Sequence, residues 1–208
     1  MILPRLHAIL DVDAAAAADW AVRDLLVAFL DGGAQCIQIR AKQLASGLLL
    51  ELCELAVTEA APYRAAVIVN DRADLAALAH AAGVHVGQDD LAPADVRALV
   101  GPAAIVGYST HTVEQVQAAV NEPVSYIAVG PVFGTRTKET GHGAVGLEFV
   151  AAAARLAAPL PVVAIGGITL ESSASVIEAG AAAVAIISDL LVDRDVTGRT
   201  RAYLRRLA

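Results

Sequence analysis

The residues that most clearly suggest chemistry are those of Gly134-Thr135-Arg136-Thr137-Lys138. They follow an apolar run from Tyr126 to Val129 and a break at Gly130-Pro131. Threonine hydroxyls and backbone N–H groups donate hydrogen bonds to phosphate oxygens, a lysine ammonium adds a compact positive charge, and glycine lets a ligand come close to the backbone. The stretch reads as a strand delivering phosphate ligands to a site; the plain alternative is a polar surface loop. Lysine usage favours the first reading. Lys42 and Lys138 are the only lysines, Arg serving everywhere else, and both stand where an apolar run gives way to a loop. A point charge is expected at both positions, where a guanidinium fork would not replace it.

Four further stretches carry chemistry. Gln38-x-Arg40-x-Lys42 puts three donors on one face at a strand end, suited to a diphosphate or a polar heterocycle. Its alternative is a structural ion pair at Arg40 with Lys42 in solvent. Asp71 and Asp90 end two apolar runs in succession, so that two carboxylates can face one divalent cation. Magnesium suits that pair, because it takes hard oxygen ligands, keeps several waters and shares substrate phosphates. Alternatively, Asp71 caps a helix beginning Arg72-Ala73-Asp74 and Asp90 is a turn residue. Gly166-Gly167 and Ile187-Ser188 follow two more apolar runs, and backbone N–H groups there can point at an anion. The glycines can equally make only a tight turn into a helix capped by Thr169. Ser109-Thr110-His111 precedes Thr112 and Gln115, which match a capping box, so His111 reads as a helix-entry residue. His85, inside an apolar run, reads as a satisfied strand histidine, and His142 as a loop residue. Glu139 to Ala144 is the candidate lid.

The elements that must bring these stretches together repeat along the chain. Short β-branched runs alternate with Ala/Leu-rich segments of helical period, the pattern of βα units on a parallel sheet. Eight runs are expected: Leu6 to Leu10, Cys36 to Ile39, Ala66 to Val69, Val84 to Val86, Ile105 onward to His111, Tyr126 to Val129, Pro161 to Ile165 and Ala183 to Ile187. Amphipathic helices are expected around Trp20 to Leu30, stopped by Gly32-Gly33, and from about Ser46 to Ala60. Eight units of about 26 residues imply a closed (β/α)8 TIM barrel, with residues 1–208 as one domain and the site at the C-terminal ends of the strands. An open doubly wound sheet is disfavoured, since no Gly-rich dinucleotide fingerprint follows the first run. In the barrel, Gln38, Lys42, Asn70, Asp71, Asp90, Ser109, Lys138, Gly167 and Ser188 ring one pocket.

Composition narrows the partners. A formal net charge of −7 argues against a general nucleic-acid surface. The 57% hydrophobic fraction and mean hydropathy of +0.60 come largely from alanine, and no run approaches the roughly 18 apolar residues of a membrane span. With no secretory pattern at Met1 to Arg5, a cytoplasmic protein is expected. Cys36 and Cys53 read as buried thiols.

Taken in order, Gln38-Ile39-Arg40-Ala41-Lys42, Asn70-Asp71-Arg72, Gly87-Gln88-Asp89-Asp90, Gly130-Pro131-Val132-Phe133 with Thr135-Arg136-Thr137-Lys138, Ile165-Gly166-Gly167-Ile168 and Ile187-Ser188 resemble the thiamine phosphate synthase family. The resemblance implies the joining of hydroxymethylpyrimidine diphosphate to a thiazole phosphate, with or without an extra carboxylate, and release of pyrophosphate. It gives Gln38, Arg40, Lys42, Asn70, Ser109 and Lys138 to the pyrimidine diphosphate, with Lys138, Ser109 and Arg40 catalytic. Asp71 and Asp90 take Mg2+, and Thr135, Thr137, Gly167, Ile187 and Ser188 the thiazole phosphate. Both substrates are small molecules, neither nucleic acid nor membrane is expected as a partner, and a homo-oligomer is compatible with a barrel of this size. The rivals are a thiazole tautomerase of the same family, in which a histidine is expected in place of Pro131, and a non-catalytic barrel that binds a phosphorylated ligand. Retention of Asp71 and Asp90 counts against both.

Overall fold

The structure, a computed structural model, describes residues 3–134 and 143–208. Eight parallel strands close a barrel in chain order: β1 (Leu6–Asp11), β2 (Cys36–Arg40), β3 (Ala66–Asn70), β4 (Gly83–Val86), β5 (Ile105–Thr110), β6 (Tyr126–Val129), β7 (Val162–Ile165) and β8 (Ala183–Ile186). The register runs from Ala8 opposite Ile37 around to Leu6 opposite Val184, so β1 pairs with both β2 and β8. That closure excludes the open sheet.

Alternation along the strands separates two environments. Ala8, Leu10, Ile37, Ile39, Val67 and Val69 belong to the large core between sheet and helices, whereas Ile9, Tyr126, Ala128, Val163, Ala183 and Ala185 form a small cluster of their own inside the barrel. On the helix side, α1 (Val12–Ala17) leads to α2 (Val22–Asp31), which buries Leu25, Leu26, Phe29 and Leu30 at helical spacing. Each such side chain contributes about 1.5–3 kcal/mol, and Phe29→Ala would cost about 3–5 kcal/mol. The helix ends where the N–H groups of Gly33 and Ala34 donate to the carbonyls of Leu30 and Phe29. Gly33 has φ +93°, which favours glycine. The remaining helices are α3 (Ser46–Ala60), α4 (Ala73–Leu78), α5 (Pro93–Val100), α6 (Val113–Ala119), α7 (Gly146–Ala157), α8 (Leu170–Glu178) and α9 (Val196–Leu207).

The expected helix around Trp20 to Leu30 needs correction at its start. Asp11 ends β1 and also caps α1, its carboxylate accepting the Ala14 N–H at 2.8 Å. The alanines Ala14 to Ala17 then make a helical turn directly off the strand, because Ala is the best helix former and the cap satisfies its first amides. Trp20 lies between α1 and α2. No described helix is long and apolar enough to cross a membrane.

Candidate active site

Where a filled barrel would carry layers of branched apolar residues, this interior also holds polar side chains. His7, Gln38, Arg40, Asn70, His85 and Ser109 all line one hollow between the strand ends. It shares Ser109, Ile165 and Ile187 with a second hollow at the ends of β5 to β8, and Asn70 with a third beyond β2 and β3. All three open at the C-terminal ends of the strands, where such barrels carry their sites. Together they make one continuous cleft.

The floor of this cleft is fixed by a hydrogen-bonded row. His85 Nδ1 lies 2.9 Å from the Tyr126 hydroxyl, and its Nε2 2.8 Å from Ser109 Oγ. His85 is therefore the satisfied strand histidine its position suggested, and it also orients the Ser109 hydroxyl. Gly107 makes room for the row, since a Cβ there would stand 2.1 Å from Tyr126 Cζ and 2.5 Å from His85 Nδ1. Burial raises the Tyr126 hydroxyl well above its ordinary value, so it stays a neutral donor. His7 packs edge-on against Tyr126 with ring centroids 5.4 Å apart. Burial lowers its pKa to about 4, and its Nε2 has no hydrogen-bond partner among the described residues.

The donor-rich end is built on β2 and β3. Arg40 pairs closely with Asp11, both nearly buried, so the structural ion pair considered for Arg40 is present while Arg40 still lines the cleft. Lys42 and Asp71 approach to 3.6 Å with side chains 47% and 25% exposed, a weak pair on present contacts. Asp71 is not a cap: the N-cap of α4 is Arg72, with no side-chain cap bond. Asp71 instead adopts φ +64° while its N–H donates to the His85 carbonyl at 2.7 Å. A left-handed aspartate off the end of a strand carries backbone strain of the kind that marks functional positions. Asp90, exposed, accepts the Gly87 N–H at 2.7 Å, which is the turn role considered for it. Among the described residues there is no group of three or more side chains suited to a metal. Asp71 directly follows β3 and Asp90 stands four residues past β4; hard carboxylates of this kind suit an ion that draws most of its ligands from water and a substrate phosphate.

The opposite end is made of backbone. Past β6, the Val132 and Phe133 N–H groups donate to the Ile165 and Gly166 carbonyls, each at 2.9 Å. This draws the loop after β6 against the loop after β7. Gly167 has φ +64°, and a Cβ there would meet the Gly134 carbonyl at 2.5 Å. Both Gly166 and Gly167 face the cleft beside Ile187, Ser188 and His111. Thr169 and Ser172 form the capping box that starts α8, as the sequence suggested for Thr169. His111 Nδ1 lies 2.6 Å from the Gly130 carbonyl, while Gln115 reaches back to the His111 N–H instead of the Thr112 N–H. That fits a helix-entry residue and also ties β5 to β6.

The structure thus brings Gln38, Arg40, Lys42, Asn70, Asp71, Ser109, Gly167, Ile187 and Ser188 onto one cleft; Asp90 stands on the turn after β4. Thr135, Arg136, Thr137, Lys138 and His142, with most of the candidate lid Glu139 to Ala144, lie outside the described residues. Cys36 and Cys53 are buried and unbridged. Burial pushes Cys36 up to about 12, and burial followed by Glu54 pushes Cys53 up to about 11, so neither is a thiolate nucleophile at neutral pH. Sequence reasoning missed Asp11 as partner of Arg40, the Tyr126–His85–Ser109 row and the buried Asp189. The inward parity of residues 7, 9 and 11 was the only signal for any of them.

The pattern of the family described as thiamine monophosphate synthase matches residues 9–190. A relative from Koribacter versatilis named thiamine-phosphate synthase is 45% identical over 92% of this chain and 90% of its own. One of the same name from Roseiflexus castenholzii is 45% identical over 91% and 83%. A solved thiamine phosphate pyrophosphorylase from Pyrococcus furiosus superposes with a TM-score of 0.88 at 26% identity, covering 98% of this chain and 95% of that one. With the matched pattern spanning nearly the whole barrel and the cleft residues lying inside it, the chain belongs to the thiamine monophosphate synthase family.

Proposed function

We propose that this chain is a thiamine phosphate synthase, acting as one unit over residues 1–208, which joins hydroxymethylpyrimidine diphosphate to a thiazole phosphate with release of pyrophosphate. The observation that carries the reading is the two-ended cleft: side-chain donors and the Asp71 carboxylate at one end, glycine loops at the other, with Ser109 between them. It occurs in a chain whose relatives bear that name.

Gln38, Arg40, Lys42, Asn70, Ser109 and Lys138 hold the pyrimidine diphosphate. Lys42 and Lys138 meet the charge that grows on the departing diphosphate as the carbon–oxygen bond breaks and its electron pair leaves with pyrophosphate. Ser109, oriented by His85, contacts the heterocycle; with Arg40 and Lys138 it makes up the catalytic set. Thr135, Thr137, Gly167, Ile187 and Ser188 hold the thiazole phosphate so that the ring nitrogen faces the electron-poor methylene carbon and gives its lone pair to the new carbon–nitrogen bond. Asp71 and Asp90 would hold Mg2+, which supplies further neutralisation of diphosphate charge when bound. Holding both reactants in line supplies much of the remaining rate. No covalent nucleophile is required.

The test is turnover of purified protein with both substrates, with magnesium and after chelation, following thiamine phosphate and pyrophosphate together. Equal, magnesium-dependent release of both is expected. Absence of thiamine phosphate from protein that still binds either ligand would overturn the reading.

A further inference from the structure

Beside Ser188 stands Asp189, 9% exposed and one of the residues lining the glycine end of the cleft. A carboxylate beside a phosphate site repels the ligand unless its charge is met elsewhere. Here it is met three times by one oxygen. Asp189 Oδ2 accepts from the Leu170 N–H at 3.0 Å, from Arg199 Nη2 at 2.7 Å and closely from the Tyr203 hydroxyl. Arg199 Nε also donates to the Asp189 carbonyl at 3.1 Å. The tyrosine stays a donor, since burial and then its bond to Asp189 raise its pKa far above the ordinary value. One side chain thus joins the first residue of α8, the turn Ser188–Leu191 and the middle of α9.

Gly167 lies three residues before Leu170, and Ser188 immediately precedes Asp189. The two loops given above to the thiazole phosphate are therefore bracketed by the same carboxylate. We infer that Asp189 is a positioning residue for the thiazole phosphate, holding the Gly167 and Ser188 loops in register while Arg199 and Tyr203 screen its charge from the ligand. The inference rests on the proposed synthase reading and deepens it. It has a consequence of definite sign: Arg199→Met leaves Asp189 unscreened beside the phosphate, so removing the carboxylate charge as well should help.

Steady-state kinetics on Arg199→Met, Asp189→Asn, the double variant and Tyr203→Phe test this, with both KM values, kcat and melting temperature recorded. For Arg199→Met, the thiazole phosphate KM should rise about tenfold or more, the size of one lost charge interaction of about 1.4 kcal/mol. The pyrimidine diphosphate KM and kcat should stay within about twofold. Tyr203→Phe should raise the same KM by less, and the double variant should bind thiazole phosphate better than Arg199→Met alone. Equal rises in both KM values, an additive double variant, or lower melting temperatures with unchanged KM in every variant would overturn the inference. Ser188→Ala separates the two levels. If it raises the thiazole phosphate KM while the Asp189 and Arg199 variants do not, only the bracket fails; if it changes nothing, the site reading fails and the inference with it.

Discussion

On the proposed reading, the two ends of the cleft solve the same problem, holding a phosphorylated ring, with opposite materials. At the β2–β3 end the groups are side chains: Arg40 neutralised by Asp11, Lys42 half in solvent, Asp71 strained and in loose contact with Lys42. At the β6–β8 end they are largely backbone, in loops pinned to one another by the Val132 and Phe133 amides and by the Asp189 carboxylate. In the proposed reaction, the diphosphate that leaves would be met by side-chain charges, and the phosphate that stays while the ring nitrogen reacts by hydrogen-bonded backbone. The difference separates charge compensation from positioning within one barrel face.

Four changes test this contrast. The largest effect on stability is expected at Arg40, whose loss strands a buried carboxylate. Arg40→Met should lower the unfolding free energy by about 3–5 kcal/mol in denaturant titration, and Asp11→Asn in the same chain should restore part of it. Next, Asp71→Ala should lower kcat/KM for the pyrimidine diphosphate by about 10²–10³-fold, the loss expected when charge stabilisation at a leaving group is removed; an effect confined to the thiazole phosphate KM would reverse the assignment of the ends.

The floor common to both ends supplies a pH signature. His7 has its folded pKa depressed from 6.5 to about 4, so the unfolded chain binds the extra proton first. Its contribution is present above about pH 6.5 and is lost as pH falls toward 4, a change of about 3 kcal/mol. Unfolding free energies measured at pH 7 and pH 4 should differ by that much more in the parent than in His7→Phe. The smallest effect is that of salt. Raising ionic strength from about 0.05 to 0.5 M screens exposed charges. It should raise the pyrimidine diphosphate KM several-fold more than that of the thiazole phosphate, and an equal response would erase the contrast.

The same contrast governs what the sequence disclosed. The barrel was legible because strand runs and helical periods alternate eight times, and Ser46–Ala60 and Tyr126–Val129 fall where their patterns place them. The side-chain end was legible too, since Gln38-x-Arg40-x-Lys42 and Asn70-Asp71 announce donors and acceptors by type. The backbone end showed more faintly, as Gly166-Gly167 and Ile187-Ser188 after apolar runs, because amides carry no residue signature. Residues acting through others stayed hidden. Asp11 pairs with Arg40 across 29 positions, His85 with Tyr126 across 41, and Asp189 with Tyr203 across 14. Barrel closure and helix packing, not sequence spacing, set those separations. Asp11 also shows one side chain doing two jobs, cap and counter-ion, which moved the first helix ahead of its expected start.

The most direct measurement is a crossed pair of KM determinations on Gly167→Ala and Asn70→Ala. A Cβ at Gly167 forces the glycine loops apart and should raise the thiazole phosphate KM by about tenfold or more, leaving that of the pyrimidine diphosphate within about twofold; Asn70→Ala should do the reverse. If both variants raised the same KM, or each raised both equally, the two ends would not serve two substrates and the division of labour would be wrong.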